Sequence, residues 1–349
     1  MVKPRKHLEI FLRDGQPYKT RLNRIRLGFN EYVPHIGEEL FRKIINDLNV
    51  ESFSSYPEIN LAYDIMAQYL NISVGNIVLG HGSDSALFMA LSAFCDPGDV
   101  ICSVIPTYGM YEVYADMLAC KFIKETYDSD RQVSLSILLD LLKHKPKVVI
   151  LANPNGVIGT RINDEVLERF IVEADKNDTL VIIDEAYAEF STKTLIDKIN
   201  VYKNLVIVRS FSKSMGMAGL RIGYLVLDKS LRESAYKMKP VVELNSVAIS
   251  AIKVLCENKQ IVKDLTAIIN SSKAYFIDEL RKLNFNALET ETNFVLVNFQ
   301  ERETIVINEL SKRNIEFKKL TESFEGYYRI TVGSKEIMKH VINVLKEIS

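Results

Sequence analysis

Sulfur and imidazole are scarce in this sequence, and neither is arranged to bind a metal. The 349 residues contain four cysteines, Cys95, Cys102, Cys120 and Cys256, in apolar surroundings with no paired spacing. A disulfide framework or a zinc site needs CxxC-like clusters or neighbouring histidines, so the four read as buried, reduced thiols. The five histidines, His7, His35, His81, His144 and His340, are scattered and never fall at i, i+4, which gives metal catalysis no support. Net charge is small as well, −1 at pH 7, and gives no electrostatic footprint for nucleic acid or an anionic membrane. No apolar run reaches membrane-span length, and the basic start around Lys3 and Lys6 leads into no signal-length apolar stretch. A cytoplasmic protein acting on small molecules is the expectation. Internal repeats, low-complexity tracts and Gly/Ser linkers are missing too.

What is present suits a large core. Hydrophobic residues make up 47% and charged residues 26%, as in a globular protein with one large domain and a smaller one. Between about residues 75 and 230, short apolar runs alternate with helical stretches. The runs are Ile77–Leu79, Val100–Val104, Phe122–Ile123, Lys147–Leu151, Leu180–Ile183, Leu205–Val208 and Ile222–Val226. Helices are expected over Ala86–Phe94, Met110–Leu118 and Glu165–Asp175. Near-continuous apolar strands alternating with helices predict a seven-stranded, mostly parallel sheet with helices on both faces. The last two runs are too close for a helical crossover, so that pair is expected to be antiparallel. Beyond residue 240 a long helical region (about Val241–Leu283) precedes strands at Phe294–Val297 and Tyr328–Val332 and a closing helix, which reads as a smaller α+β domain. The expected divisions are an N-terminal segment (1–40) packing with the small domain, a large domain (41–240) and the small domain (241–349).

Ligands of such sheets bind at the carboxyl ends of the strands, and polar residues gather there. Lys213 follows a strand in Arg209-Ser210-Phe211-Ser212-Lys213. A lysine amine forms an imine with an aldehyde cofactor when burial or nearby cations lower its pKa. Ser210 and Arg221 close by suit a dianionic phosphate. Asp184 ends another apolar strand, where a carboxylate without a cation is costly; a protonated pyridine nitrogen is one such cation, and an N-cap role is the other reading. Tyr187, three residues on, is in range of a ring oxygen. Gly82-Ser83-Asp84 opens a helix and is either a phosphate cradle or an ordinary turn and cap. Tyr108 offers an aromatic face for stacking or for the core.

Taken together these residues resemble the fold-type-I pyridoxal-5′-phosphate (PLP) enzymes, the class I/II aminotransferases, and within them the histidinol-phosphate aminotransferase branch. The resemblance runs from about Leu27 to the C-terminus. It is carried by Tyr56-Pro57-Glu58, Gly80-His81-Gly82-Ser83-Asp84, Pro106-Thr107-Tyr108-Gly109-Met110-Tyr111, Asp184-Glu185-Ala186-Tyr187, Ser212-Lys213, Ala218-Gly219-Leu220-Arg221 and Arg329-Ile330-Thr331-Val332-Gly333. It implies that Lys213 holds the cofactor as a Schiff base and shuttles the proton. Asp184 would pair with the ring nitrogen, Tyr187 with the phenolic oxygen, and Tyr108 would stack on the ring. Ser83, Asp84, Ser210, Ser212 and Arg221 would surround the phosphate. Tyr56 would reach the phosphate of the neighbouring subunit, which implies a homodimer with shared sites. Arg329 would bind the substrate carboxylate or phosphate, and Asn30, in Asn30-Glu31-Tyr32-Val33-Pro34, would border the substrate.

Two departures bear on the substrate. The family's Pro-Asn-Asn-Pro-Thr-Gly turn reads Pro154-Asn155-Gly156-Val157-Ile158-Gly159 here, so the asparagine expected at the phenolic oxygen aligns with Gly156. Either Asn155 substitutes by a local shift or Tyr187 serves alone. The family's Asn-Glu-Asn-Pro is also altered, at Asn30–Pro34. The implied activity is transamination from a donor such as L-glutamate to a small, phosphorylated keto compound, of the imidazole acetol phosphate or three-carbon kind. Decarboxylation of a phospho-amino acid uses the same scaffold. A non-catalytic regulator would need an added DNA-binding domain, for which no residues are left over.

Overall fold

The computed structural model describes residues 2–3, 5–9, 23–191, 193–321 and 324–348. A short strand, β1 (Ile25–Arg26), precedes the main sheet. That sheet is built from β2 (Ile77–His81), β3 (Val100–Ile105), β4 (Lys121–Thr126), β5 (Val148–Ala152), β6 (Leu180–Asp184), β7 (Leu205–Ser210) and β8 (Ile222–Leu227). Their order is β2-β8-β7-β6-β5-β3-β4. Only β8 is reversed, antiparallel to both β2 and β7, so six carboxyl ends share one rim. The short link between β7 and β8 carries Lys213, and its brevity gives the antiparallel pairing expected from sequence.

Every residue of β5, β7 and β8 is buried, as helices on both faces require. Alternate side chains enter two separate cores. Val149, Leu151, Val181, Ile183, Leu205 and Ile207 join one; Val148, Ile150, Leu180, Ile182, Val206 and Val208 join the other. At the edge, β4 exposes Lys121, Lys124 and Thr126, which is why only Phe122–Ile123 reads as strand in the sequence.

The helix Gly82–Phe94 starts four residues before its apolar run, directly at the end of β2. Gly82 takes φ 80, and a Cβ on Gly223 of β8 would lie 2.2 Å from the Gly82 carbonyl carbon and the Ser83 nitrogen. Two glycines therefore let the helix N-terminus press against the sheet. The stretch expected as one long helix is two, Ser246–Glu257 and Lys259–Lys282, separated at Asn258, whose side chain caps the second by accepting from Gln260 N. The first of them packs on the large body, where Ser250 Oγ donates to Ile44 O at 2.7 Å.

The smaller sheet joins β9 (Asn286–Leu288), β10 (Phe294–Asn298), β12 (Lys318–Lys319) and β13 (Tyr327–Thr331) in the order β12-β13-β10-β9. Strand β11 (Ile315–Glu316) pairs in parallel with β1, and Thr331 N donates to Leu27 O at 2.8 Å. The segment just after β1 is thereby tied to the end of β13, and both arrive at the rim of the large sheet.

Candidate active site

A cavity of about 520 Å³ opens where that rim meets the segment Phe29–Glu31 and β13. Among its walls are Ser83, Asp84, Tyr108, Asp184, Tyr187, Ser210, Ser212, Lys213, Arg221, Arg329 and Asn30. Residues spread over three hundred positions thus face one space. No group of three metal-ligating side chains occurs among the described residues.

Lys213 projects from the β7–β8 link, and its Nζ makes one long hydrogen bond, 3.3 Å to the Phe29 carbonyl. It lies 5.6 Å from the centre of the Tyr187 ring. Asp184 closes β6 opposite. Its Oδ2 accepts from Tyr111 Oη at 2.8 Å and its Oδ1 from Ala186 N at 3.0 Å. Burial pushes its pKa up to about 6, against those two hydrogen bonds and the attraction of Lys213. Such a carboxylate is ready for a cation. Burial, with the Asp184 charge behind it, drives Tyr111 well above its ordinary value, so it stays a donor.

The helix N-terminus at Gly82 forms one end of the cavity. Arg221 leans over it, bonded to Asp84 Oδ2 at 3.2 Å and half exposed. A Cβ on Gly82 would meet the guanidinium at 2.6 Å, so glycine is needed for the close approach. Ser210 Oγ accepts from Ser212 N at 3.1 Å, which turns the link so that both serines border the same cup. Tyr108 Oη donates to Asp84 Oδ1 at 2.8 Å, and its ring stands edge-on to Tyr111.

Two sequence expectations change. Asn155 does not reach the cavity. It is fully buried, its Nδ2 donates to Pro106 O and Tyr127 Oη at 2.9 Å each, and its Oδ1 accepts from Val157 N and Ile158 N. With every polar atom spent on holding the turn, it has nothing left for a cofactor. Asn30 does line the cavity, but its side-chain amide is used inside the protein, on Tyr187 Oη at 2.8 Å and Gly156 O at 3.1 Å. Tyr56 stands apart from this cavity, 88% exposed.

Tyr111, Thr107 and the Gly156 carbonyl were not singled out as site groups from sequence. Tyr111 had a signal: it lies three residues after Tyr108, in the first turn of the helix Met110–Met117. The carbonyl had none, because its value lies in where the chain carries it. Arg329 donates to it at 2.7 Å and to Gly28 O at 3.0 Å.

An amine at a strand end, a buried carboxylate without a bonded cation among the described residues and a helix N-terminus beside an arginine fit the fold-type-I PLP-dependent enzymes. The sequence profile of the class I and II aminotransferases matches residues 25–345. The chain belongs to that family and is a PLP-dependent aminotransferase. It is 30% identical over 345 residues to a histidinol-phosphate aminotransferase of Clostridium novyi, covering 96% of this chain and 95% of the relative. The structure of the Sinorhizobium meliloti histidinol-phosphate aminotransferase in complex with pyridoxal-5′-phosphate superposes with TM-score 0.82 at 20% identity, over 93% of this chain and 91% of that one. The fold is also that of L-threonine-O-3-phosphate decarboxylase from Porphyromonas gingivalis, with TM-score 0.78 at 21% identity over 93% and 99% of the two chains.

Proposed function

We propose that the chain works in the cytoplasm as a homodimer that moves an amino group from L-glutamate to a small phosphorylated keto compound. Imidazole acetol phosphate, the ketone related to histidinol phosphate, and a three-carbon keto phosphate such as dihydroxyacetone phosphate are the two acceptors of this type. The observation that carries the reading is Arg329. Its guanidinium bonds only main-chain carbonyls, its Nε is buried without a partner, and it has no carboxylate partner among the described residues. Burial lowers its pKa. A desolvated cation facing the same cavity as Lys213 is a site for a substrate anion. An adjoining hollow of about 260 Å³ shares Thr107, Tyr108, Gly109, Val157 and Arg329, and adds Lys318 together with Lys124 and Lys319, which are paired with Glu112 and Glu303.

In this reading Asp184, fixed by Tyr111 and Ala186 N–H, holds the ring nitrogen in its protonated form. Ser83, Ser210, Ser212, Arg221 and the helix N-terminus at Gly82 hold the phosphate. Tyr108 covers the ring. PLP supplies the electron sink at the substrate Cα. Lys213 Nζ would take the proton from that Cα and return it during the transfer. Tyr56 is assigned to the phosphate of the second copy's cofactor. Support for this comes from its exposure beside Val50 and Phe53, which are also exposed at 87% and 78%. An isologous dimer would complete both sites at once.

The test is a half-reaction. Glutamate should convert the bound aldehyde to its amine form, with loss of the aldehyde absorbance, and one phosphorylated ketone should restore it. No spectral change with glutamate or other amino acids, or carbon dioxide release from a phospho-amino acid in place of return by any ketone, would refute transamination.

A further inference from the structure

Position 156 has no room for the side chain that the family turn carries there. A Cβ on Gly156 would lie 2.7 Å from Tyr187 Cε2 and 3.1 Å from its hydroxyl. Tyr187 therefore fills that space, and what touches its hydroxyl decides how the hydroxyl can act. The one hydrogen bond it makes among the described residues comes from Asn30 Nδ2, at 2.8 Å.

We propose that Asn30 is a positioning residue that makes up for the missing side chain at position 156: its amide aims the Tyr187 hydroxyl proton at the phenolic oxygen of the cofactor ring. The inference rests on the assignment of Tyr187 to that oxygen. An amide nitrogen only donates, so Tyr187 Oη accepts from Asn30 and keeps its own proton for the cavity. The amide cannot be turned round, because its nitrogen also donates to Gly156 O at 3.1 Å; an oxygen there would face another oxygen. Arg329 Nη1 donates to the same carbonyl, so one acceptor orients the amide and the substrate-facing cation together.

Asn30 is itself held on all sides. It is 2% exposed. Its N–H donates to Thr331 Oγ1 at 3.0 Å, its Oδ1 accepts from the same hydroxyl, and its carbonyl accepts from Asn293 Nδ2 at 3.0 Å. Its φ is 56, a left-handed conformation that asparagine tolerates and glycine adopts freely. The charged groups facing Tyr187 are Lys213, 5.6 Å from its ring, and Arg329, whose charge interacts with it. Arg329 accepts no proton from the hydroxyl, and Lys213 Nζ makes its hydrogen bond to Phe29 O.

The left-handed backbone provides the test. Asn30→Gly removes the amide at a position where glycine costs nothing in φ, so the fold and cofactor loading should survive. The readout is the pH midpoint of the bound cofactor's absorbance change, which a donor at the phenolic oxygen lowers. Tyr187→Phe should raise that midpoint. Asn30→Gly should raise it too, by about half a unit to one unit, and should add nothing in the Tyr187→Phe background, as expected for coupled residues. Asn30→Asp, which also tolerates this φ and offers Tyr187 an acceptor, should raise the midpoint further, with a smaller effect once Tyr187 is replaced. An unchanged midpoint in Asn30→Gly, or the same shift with and without the Tyr187 hydroxyl, overturns the proposal and leaves Tyr187 in its role. An unchanged midpoint in Tyr187→Phe overturns both.

Discussion

Two charged clusters lie back to back at the rim of the large sheet, and they are built on opposite rules. Asp184 and Ser210 face the cavity, while their chain neighbours Glu185 and Arg209 face the other way, as alternation along strands demands. On that hidden side every charge is answered. Arg209 Nε and Nη2 contact Glu185 Oε2 at 2.9 and 2.7 Å, and Nη1 donates to Glu189 Oε1 at 2.7 Å. Thr194 Oγ1 adds a third contact to Glu185 Oε2, and Leu195 N and Ser214 Oγ satisfy the remaining oxygens, Glu185 Oε1 and Glu189 Oε2. Burial works against the Arg209 charge, but the two glutamates outweigh it and hold it protonated. On the cavity side, among the described residues, Asp184 sits near pKa 6 without a bonded cation and Arg329 has no carboxylate partner. Buried pairs hold the rim in place, while Asp184 and Arg329 are left for ligands; Arg221, also on the cavity side, is half exposed and paired with Asp84. Ser214, bonded to Glu189, joins the two clusters next to Lys213.

The sharpest way to break this contrast is to remove one arginine from each side. Arg209→Met would strand two buried carboxylates and should cost about 3–5 kcal/mol, read as a fall in the urea midpoint at constant slope. Arg329→Met should cost at most about 1–2 kcal/mol, because only carbonyl partners are lost. Its effect should appear instead as a roughly 10- to 100-fold higher KM for the anionic acceptor. Equal stability losses in the two variants would erase the distinction.

A smaller effect concerns Asp184. Its folded-state pKa of about 6 lies above the ordinary 3.8, so the folded protein holds this proton more tightly than the unfolded chain. The resulting stability is present below pH 4 and is lost as pH rises through 6. Asp184→Asn, neutral throughout, should therefore make the cofactor-free protein more stable than wild type above pH 6, by up to about 2–3 kcal/mol. The gain should vanish towards pH 4. With PLP bound, the same change should lower turnover by on the order of 10²-fold. Thermal unfolding of the cofactor-free pair across pH 4–8 checks the sign.

The sequence makes the paired side and the open side look alike. Asp184, Glu185 and Glu189 are three carboxylates in six residues, and nothing local says that two are spent on Arg209. The central strands were legible because burial on both faces leaves near-continuous apolar runs such as Val148–Leu151. Strand β4 was legible only at Phe122–Ile123, since an edge strand keeps polar residues, and the short strands β9 and β12 were not. Lys213, Arg221 and the Gly82 turn were readable because their chemistry is local to one link or one helix start. Asn155 was misplaced, and the use of the Asn30 amide was not legible, because their contacts are made with partners 28 to 301 residues away, Tyr127, Gly156, Tyr187 and Thr331. Periodicity and spacing carry no information about such contacts.

The account depends most on Lys213 being the amine that holds the cofactor. Borohydride treatment of the PLP-loaded protein, followed by peptide mass mapping, measures this directly. The expected result is a single pyridoxyl group on Lys213, with no adduct in Lys213→Ala even though that variant still binds PLP. An adduct on another lysine, or a wild-type protein that incorporates none, would contradict the assignment.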